Sequence, residues 1–228
     1  MEKAITYNAH VTVSKPFPEA DFPLLWSWIE KSKHHVSCDQ SPQSLEDFIA
    51  YQIARTQSMQ IITWGVYLDG ALSGYLEMMP HFLGVPAESD DPCLVPALDK
   101  IADGHGIFKR EMYGRDKTTT AINLVLQEIF ASGIEVMQFS LFSHNRLMIA
   151  LHGSLGGHFG GSLGEPVTQE GNAVAMEMWV LTKVEWVKAN AEWIQEYENH
   201  TRQAKAFAAA YELGYPDYET VEKILLGA

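Results

Sequence analysis

The chain has 228 residues, and its 16 Lys and Arg against 29 Asp and Glu give a formal net charge of -13. With 46% hydrophobic residues it has enough apolar surface for a full core, while its acidic balance excludes a broad nucleic-acid or anionic-membrane surface, which depends on basic clusters. No apolar run approaches the roughly 18–20 residues of a bilayer span, the opening MEKAITYNAH lacks a signal peptide's apolar core, and Cys38 and Cys93 are too few for a disulfide framework, so a reducing, cytoplasmic setting is expected.

Alternating Ile5, Tyr7, Ala9, Val11 and Val13 predict a strand that Pro16 and Pro18 end. Phe22, Leu25, Trp26 and Ile29 fall at helical spacing with Asp21 as a candidate cap. A second helix starts at Ser44, where Ser44 and Asp47 form a capping-box variant, and Leu45, Phe48, Ile49 and Ile53 share one face. The period then changes to a strand over 61–68, a tight Asp69-Gly70 turn and a partner strand over 71–79. Residues 80–104 carry Pro80, Gly84, Pro86, Pro92 and Pro96, so a long loop with a short helix near 95–102 is expected.

Gly106 to Met112 reads as a strand, followed by the polar turn Tyr113 to Thr118. Ile122, Val125, Leu126, Ile129 and Phe130 form the buried face of the next helix, with Gly133 just past its end. A strand over 134–142, the triplet Ser143-His144-Asn145 and a helix bearing Leu147, Leu151 and Leu155 follow. The run GSLGGHFGGSLG at 153–164 holds six glycines in twelve residues and predicts a sharply turning backbone. A last strand over 173–182 leads to Trp186, Trp193, Ile194 and Tyr197 at helical spacing, and Gly214 and Pro216 precede a final helix near 217–226. The element order is that of a mixed α/β domain over 1–185 with a helical C-terminal extension over 186–228, packed on the domain or on a partner.

The stretch GHGIFKREMYGRDKTTTAINLVLQEIFASGIEVMQFSLFSHNRLMIALHGSLGGHF at 104–159 resembles the core of the GCN5-related N-acetyltransferases, and the closing VLTKVEW resembles that family's frequent last strand. The resemblance covers about residues 4–186 and rests on topology and the 104–159 block rather than on one complete motif. It implies an α/β fold with a mixed, mostly antiparallel central sheet flanked by helices, and acetyl-CoA as acyl donor. In that family the turn after the fourth strand offers backbone N–H groups at a helix N-terminus to a pyrophosphate, a chemistry that needs no particular side chain.

Aligned on that turn, Gly114 fits, Arg115 and Lys117 are placed to neutralise phosphate, and the Thr118 and Thr119 hydroxyls are candidate donors. Asp116 departs from the pattern by putting a carboxylate where a glycine is usual, and Thr118 replaces a small Gly or Ala. The resemblance aligns Ile107, Phe108 and Lys109 with the segment whose backbone pairs the pantetheine arm, and Asn145 with a cofactor-contacting Asn. His152 stands where the family often has a Tyr that protonates the departing thiolate, with Gly156 at a family glycine. A charged or hydrogen-bonded imidazole suits that role, and the alternative is a helix-end residue facing the helix carbonyls.

Amine attack on a thioester requires a neutral amine, so a base is expected; Glu77 and His105 are the candidates on strands, with Glu111 closer to the phosphate turn. Acidic Glu88, Asp90 and Asp91 are candidates to attract a protonated amine. His34, His35 and Cys38 lack a second ligand cluster, so no metal is expected, and the glycine run lacks a P-loop's Lys-Ser/Thr. The C-terminal aromatic stripe packs on the domain or forms a homodimer contact. Two functions follow: an N-acyltransferase moving acetyl from acetyl-CoA to a primary amine of a small molecule or peptide by direct attack in a ternary complex, or an inactive domain of that fold serving assembly. The resemblance implies neither a membrane nor general nucleic-acid binding.

Overall fold

The computed structural model describes residues 2–3, 11–31, 42, 44–58, 60–80, 100–113, 115–163, 167–169 and 172–212. Outside them lie Ile5, Tyr7, Ala9, His34, His35, Cys38, Cys93, the acidic residues Glu88, Asp90 and Asp91, Gly114, and the helix expected near 217–226. The strands are β1 (Glu2–Lys3), β2 (Val11–Lys15), β3 (Ile62–Leu68), β4 (Ala71–Pro80), β5 (Ile101–Phe108), β6 (Val136–Phe142), β7 (His158–Ser162), β8 (Val167–Gln169), β9 (Asn172–Val174) and β10 (Met176–Thr182). The described helices are α1 (Phe22–Lys31), α2 (Leu45–Gln57), α3 (Arg115–Ala131), α4 (Arg146–Ser154), α5 (Lys183–Ala189) and α6 (Ala191–Glu212). None of them is long and apolar enough to cross a membrane.

Local chemistry explains several of these boundaries. Ser44 Oγ accepts from the Asp47 N–H at 3.1 Å and donates to the Asp47 carboxylate at 2.8 Å, which starts α2 where its orphan amides need a partner. Asp69 and Gly70, at φ 51° and 80°, close the β3–β4 hairpin in two residues. At the other end of the fold, Thr182 and Glu185 cap α5 reciprocally: the Thr182 hydroxyl donates to Glu185 at 2.7 Å and accepts from its backbone N–H at 3.2 Å. Asp21, by contrast, closes the short 3-10 turn Glu19–Asp21 that precedes α1.

Eight strands form one sheet in the order β1-β2-β3-β4-β5-β6-β10-β7, while β8 and β9 pair by themselves. Every neighbouring pair in the large sheet is antiparallel except β5 with β6. The sheet is thus mixed and mostly antiparallel, with helices on it, as expected. Two strand boundaries differ from expectation. The strand read at 106–112 runs instead over 101–108, because β4 pairs that polar segment residue for residue from Gly74↔Phe108 to Pro80↔Ala102; Arg110–Met112 is a 3-10 turn. The glycine run ends α4, turns at Gly156, and then supplies β7 over 158–162, whose partner is β10.

Helices α1 and α2 bury Phe22, Leu25, Trp28 and Phe48 against Phe17, Leu72 and Tyr75, with Ile107 of β5 packed at the margin. Helix α3 packs on β2, and Glu128 joins them by accepting from Lys15 at 2.5 Å and from the Trp64 indole at 2.8 Å. Its Phe130 ring lies 5.2 Å from Trp186 of α5, whose indole donates to Asn123 Oδ1 at 2.9 Å. The chain divides into two compact units, 1–189 and 190–228, so Trp186 belongs to the first. In the second, α6 carries Trp193 stacked on Tyr197 at 5.2 Å.

Trp186 therefore fills a site that also satisfies a buried amide. Trp186→Ala is expected to lower the unfolding free energy by about 3–5 kcal/mol, the range for deleting a buried aromatic, measured by urea denaturation.

Candidate active site

The one parallel pair in the sheet ends well before its strands do. β5 and β6 pair only at Ile101↔Val136, Ala102↔Met137 and Asp103↔Gln138, although both strands continue beyond. The Lys109 N–H donates to the Ser73 carbonyl at 2.9 Å, extending the β4–β5 ladder and fixing its phase. Residues 103, 105 and 107 then exchange hydrogen bonds with β4, and the N–H and C=O of Gly104, Gly106 and Phe108 point toward the β6 side. A strip of backbone donors and acceptors is left along the opening between two strands.

Both parallel strands run into helix N-termini at the same end of the sheet. β5 leads through the 3-10 turn to α3, and β6 leads through Ser143-His144-Asn145 to α4. A crevice at the carboxyl ends of parallel strands is where open α/β sheets bind ligands, and a helix N-terminus favours an anion. The expected cofactor residues divide accordingly. Ile107 and Phe108 lie on β5 beside the opening. Lys109 follows them at the end of β5, and its ammonium donates to the Leu72 carbonyl at 2.8 Å and stands 5.1 Å above the Trp28 ring.

Arg115 opens α3, and Asp116 and Lys117 are exposed in its first turn, where a carboxylate is favourable to the helix dipole. The Thr118 hydroxyl spends its proton on the Met112 carbonyl at 2.6 Å, so it is not a phosphate donor. Thr119 differs: its Oγ1 is buried and has no partner among the described residues. Asn145 caps α4 by accepting from the Met148 N–H at 3.3 Å, which leaves its amide NH2 for a ligand.

His152 lies in the last turn of α4 and is only 2% exposed. Its ring centroid is 4.1 Å from that of Phe139 on β6, and neither ring nitrogen has a partner among the described residues. Burial pushes its imidazole down to about 4, so the charged form expected of a general acid is disfavoured at neutral pH. The neutral ring keeps one N–H donor and one acceptor nitrogen.

On the α1–α2 side of the sheet, Glu77 and His105 are register partners across β4 and β5. Directly opposite residues stand on the same face as neighbours. Glu77 Oε2 accepts from the Tyr75 hydroxyl at 2.5 Å, and Oε1 lies 3.3 Å from Arg55 Nη2, with the Arg55 and Glu77 side chains 13% and 9% exposed. Burial first, and then the neighbouring carboxylate, raise the Tyr75 hydroxyl well above 10, so Tyr75 remains the donor. Tyr51 stacks over the guanidinium at 5.0 Å. His105, in contrast, is exposed, as is Glu111 in the 3-10 turn. The structure thus brings Glu77 and His105 together and leaves Glu111 apart on the turn.

Four contributors were not singled out in the sequence. Gly104 and Gly106 carried a signal, since glycines at a spacing of two inside a strand mark close backbone approach. Phe139 presses on Gly104: a Cβ there would meet Phe139 Cδ1 and Met137 Cε, each at 3.0 Å. Arg55 had no local signal. Among the described residues no three His, Cys, Asp or Glu side chains converge as a metal site requires.

The His152 environment predicts an acid-labile fold. Between about 6.5 and about 4 the unfolded chain holds a proton at His152 that the folded chain does not, so this stabilisation is full above 6.5 and falls as pH falls through that window. The lowered value corresponds to about 3 kcal/mol. In His152→Phe, urea denaturation at a series of pH values is expected to show a loss smaller than wild type by about that amount, and an unfolding free energy at neutral pH no lower than wild type.

No protein-family profile and no curated protein matches the sequence. Solved structures do match in fold. The spermidine/spermine N-acetyltransferase SpeG from Vibrio cholerae aligns with a TM-score of 0.63 at 14% identity, over 79% of this chain and 98% of its own. The ribosomal L7/L12 alpha-N-protein acetyltransferase RimL in complex with coenzyme A aligns at 0.62 and 12%, over 79% and 98%. The microcin C7 self-immunity acetyltransferase MccE, in complex with acetyl-CoA and AMP, aligns at 0.58 and 15%, over 78% and 96%. With its mixed sheet, its single parallel pair and the opening between those two strands, the chain has the fold of the GCN5-related N-acetyltransferases.

Proposed function

We propose that the chain is an N-acyltransferase of the GCN5-related family that transfers acetyl from acetyl-CoA to a primary amine by direct attack in a ternary complex. The observation that carries this reading is the opening between β5 and β6, where Gly106 and Phe108, beyond the last β5–β6 pair, turn their backbone N–H and C=O away from β4, on the strand that leads to the N-terminus of α3. Proteins of the same fold include a spermidine/spermine N-acetyltransferase and a ribosomal L7/L12 alpha-N-protein acetyltransferase, which supports a small-molecule or protein amine as the acceptor.

The residues present fit the donor. The strip at 106 and 108 suits an amide-bearing arm, the first turn of α3 suits a pyrophosphate, and Thr119 has a buried hydroxyl with no partner among the described residues. Asp116 lies exposed in the same turn, so Asp116→Ala is the variant that reads its effect on an anion bound there. Lys117 and Arg115 add positive charge in the same turn, and Asn145 offers its amide from the start of α4. Bound acetyl-CoA supplies an activated thioester.

This chain's own residues manage the protons. The acceptor amine must lose one before it is nucleophilic, and the His105 imidazole is the exposed base on the acceptor side of β5. Glu77, fixed by Arg55 and Tyr75, stands beside His105 as its register partner on the same face of the sheet. His152, neutral and buried against the Phe139 ring, acts as a positioning residue for that ring rather than as an acid toward the thiolate.

Isothermal titration of the folded protein with acetyl-CoA tests the reading, and a heat of binding is expected. Thr119→Val is expected to weaken that binding by about tenfold, the worth of one charge-assisted hydrogen bond, with unfolding free energy unchanged or raised. A folded wild-type protein that gives no heat would sink the proposal and favour the assembly role.

A further inference from the structure

We propose that Phe139 sets the acyl chain length this site accepts, admitting acetyl and excluding longer acyl groups. The inference rests on the acyltransferase reading and adds to it which residue selects the donor.

The argument follows the direction of the site. An anion at the N-terminus of α3 lies beyond the carboxyl end of β5. An arm pairing first with Phe108 and then with Gly106 therefore runs back along β5, and its reactive end approaches Gly104, about 13 Å from Phe108 at the usual strand rise. The pairing of β5 with β6 closes at Asp103↔Gln138, one residue further. The apex of the opening is thus the Gly104–Phe139 level.

Phe139 occupies that level. Its ring lies so close over Gly104 that any side chain at 104 would collide with it, and Met137 Cε, two residues earlier on β6, closes the same space over Gly104. On its other side the ring packs on His152 of α4 at 4.1 Å. A ring held between a strand backbone and a buried imidazole has no room to swing aside without opening packed structure. Gly104 is required for this arrangement, because even a methyl group there would displace the ring. Two carbons of an acetyl group end against the ring; each further methylene must displace it.

Titration calorimetry with acetyl-CoA and hexanoyl-CoA, on wild type and on Phe139→Ala, tests the proposal. The truncated side chain leaves apolar space reaching toward His152. Hexanoyl-CoA is expected to bind Phe139→Ala about tenfold more tightly than wild type or better, since methylenes gain burial, while acetyl-CoA changes by less than about threefold. An unchanged hexanoyl-CoA affinity in a folded Phe139→Ala protein overturns it. Should Phe139→Ala fail to fold, Phe139→Leu and a nuclear Overhauser contact decide: the acetyl methyl of bound acetyl-CoA must lie against the Phe139 ring protons in wild type, and absence of that contact overturns it. If wild type binds no acetyl-CoA at all, the acyltransferase reading itself falls; if it binds acetyl-CoA without the Phe139 contact, only the chain-length assignment falls.

Discussion

Two parallel strands share hydrogen bonds only while their backbones stay about 4.8 Å apart, and in this protein that spacing is kept for three residue pairs. Everything about the candidate site follows from where the sharing stops. Beyond Asp103 and Gln138, β5 remains committed to β4 and β6 to β10, so each strand is held straight by an antiparallel partner and neither bends back to the other. The unpaired backbone between them is therefore imposed by the rest of the sheet. An unpaired peptide group is costly when buried, and Gly106 on that strip is exposed, so water or a ligand satisfies it.

The fold was most legible where a few neighbouring residues decide the conformation. Ser44 with Asp47, and Asp69 with Gly70, announce a cap and a hairpin from within four residues, and both occur. The order of elements was readable for the same reason. The start of β5 was not, since nothing in Ile101-Ala102-Asp103-Gly104 favours a strand by itself; its partner in β4 makes it one. The glycine run does turn, with positive φ at Gly156 and Gly161, and it also pairs where β10 supplies a partner.

The site was legible by residue type and less so by role. Lys109 sits beside the phosphate turn in sequence, yet the aromatic face of Trp28 and the Leu72 carbonyl lie within its reach and claim it. Thr118 and Thr119 are equivalent on paper; the one-residue step of about 100° around the helix gives the first an internal acceptor and leaves the second without one among the described residues. His152 carries no sequence mark of its burial, which comes from Phe139, and Arg55 meets Glu77 from 22 residues away. These are long-range facts, set by packing rather than by spacing.

The Arg55–Glu77–Tyr75 group also has a bearing on how the sheet assembles. Side chains alternate faces along β4, so a one-residue slip against β3 or β5 would carry Glu77 to the opposite face, where Leu76 and Met78 now point. There the carboxylate would find neither guanidinium nor phenol, and Arg55 would be left with its charge half-sheltered and unanswered. An apolar strand can slide with little loss; one that carries a charge needing two specific partners cannot. The buried ion pair thus acts as a key for strand alignment, and the backbone strip at Gly104, Gly106 and Phe108 is in phase because Glu77 is.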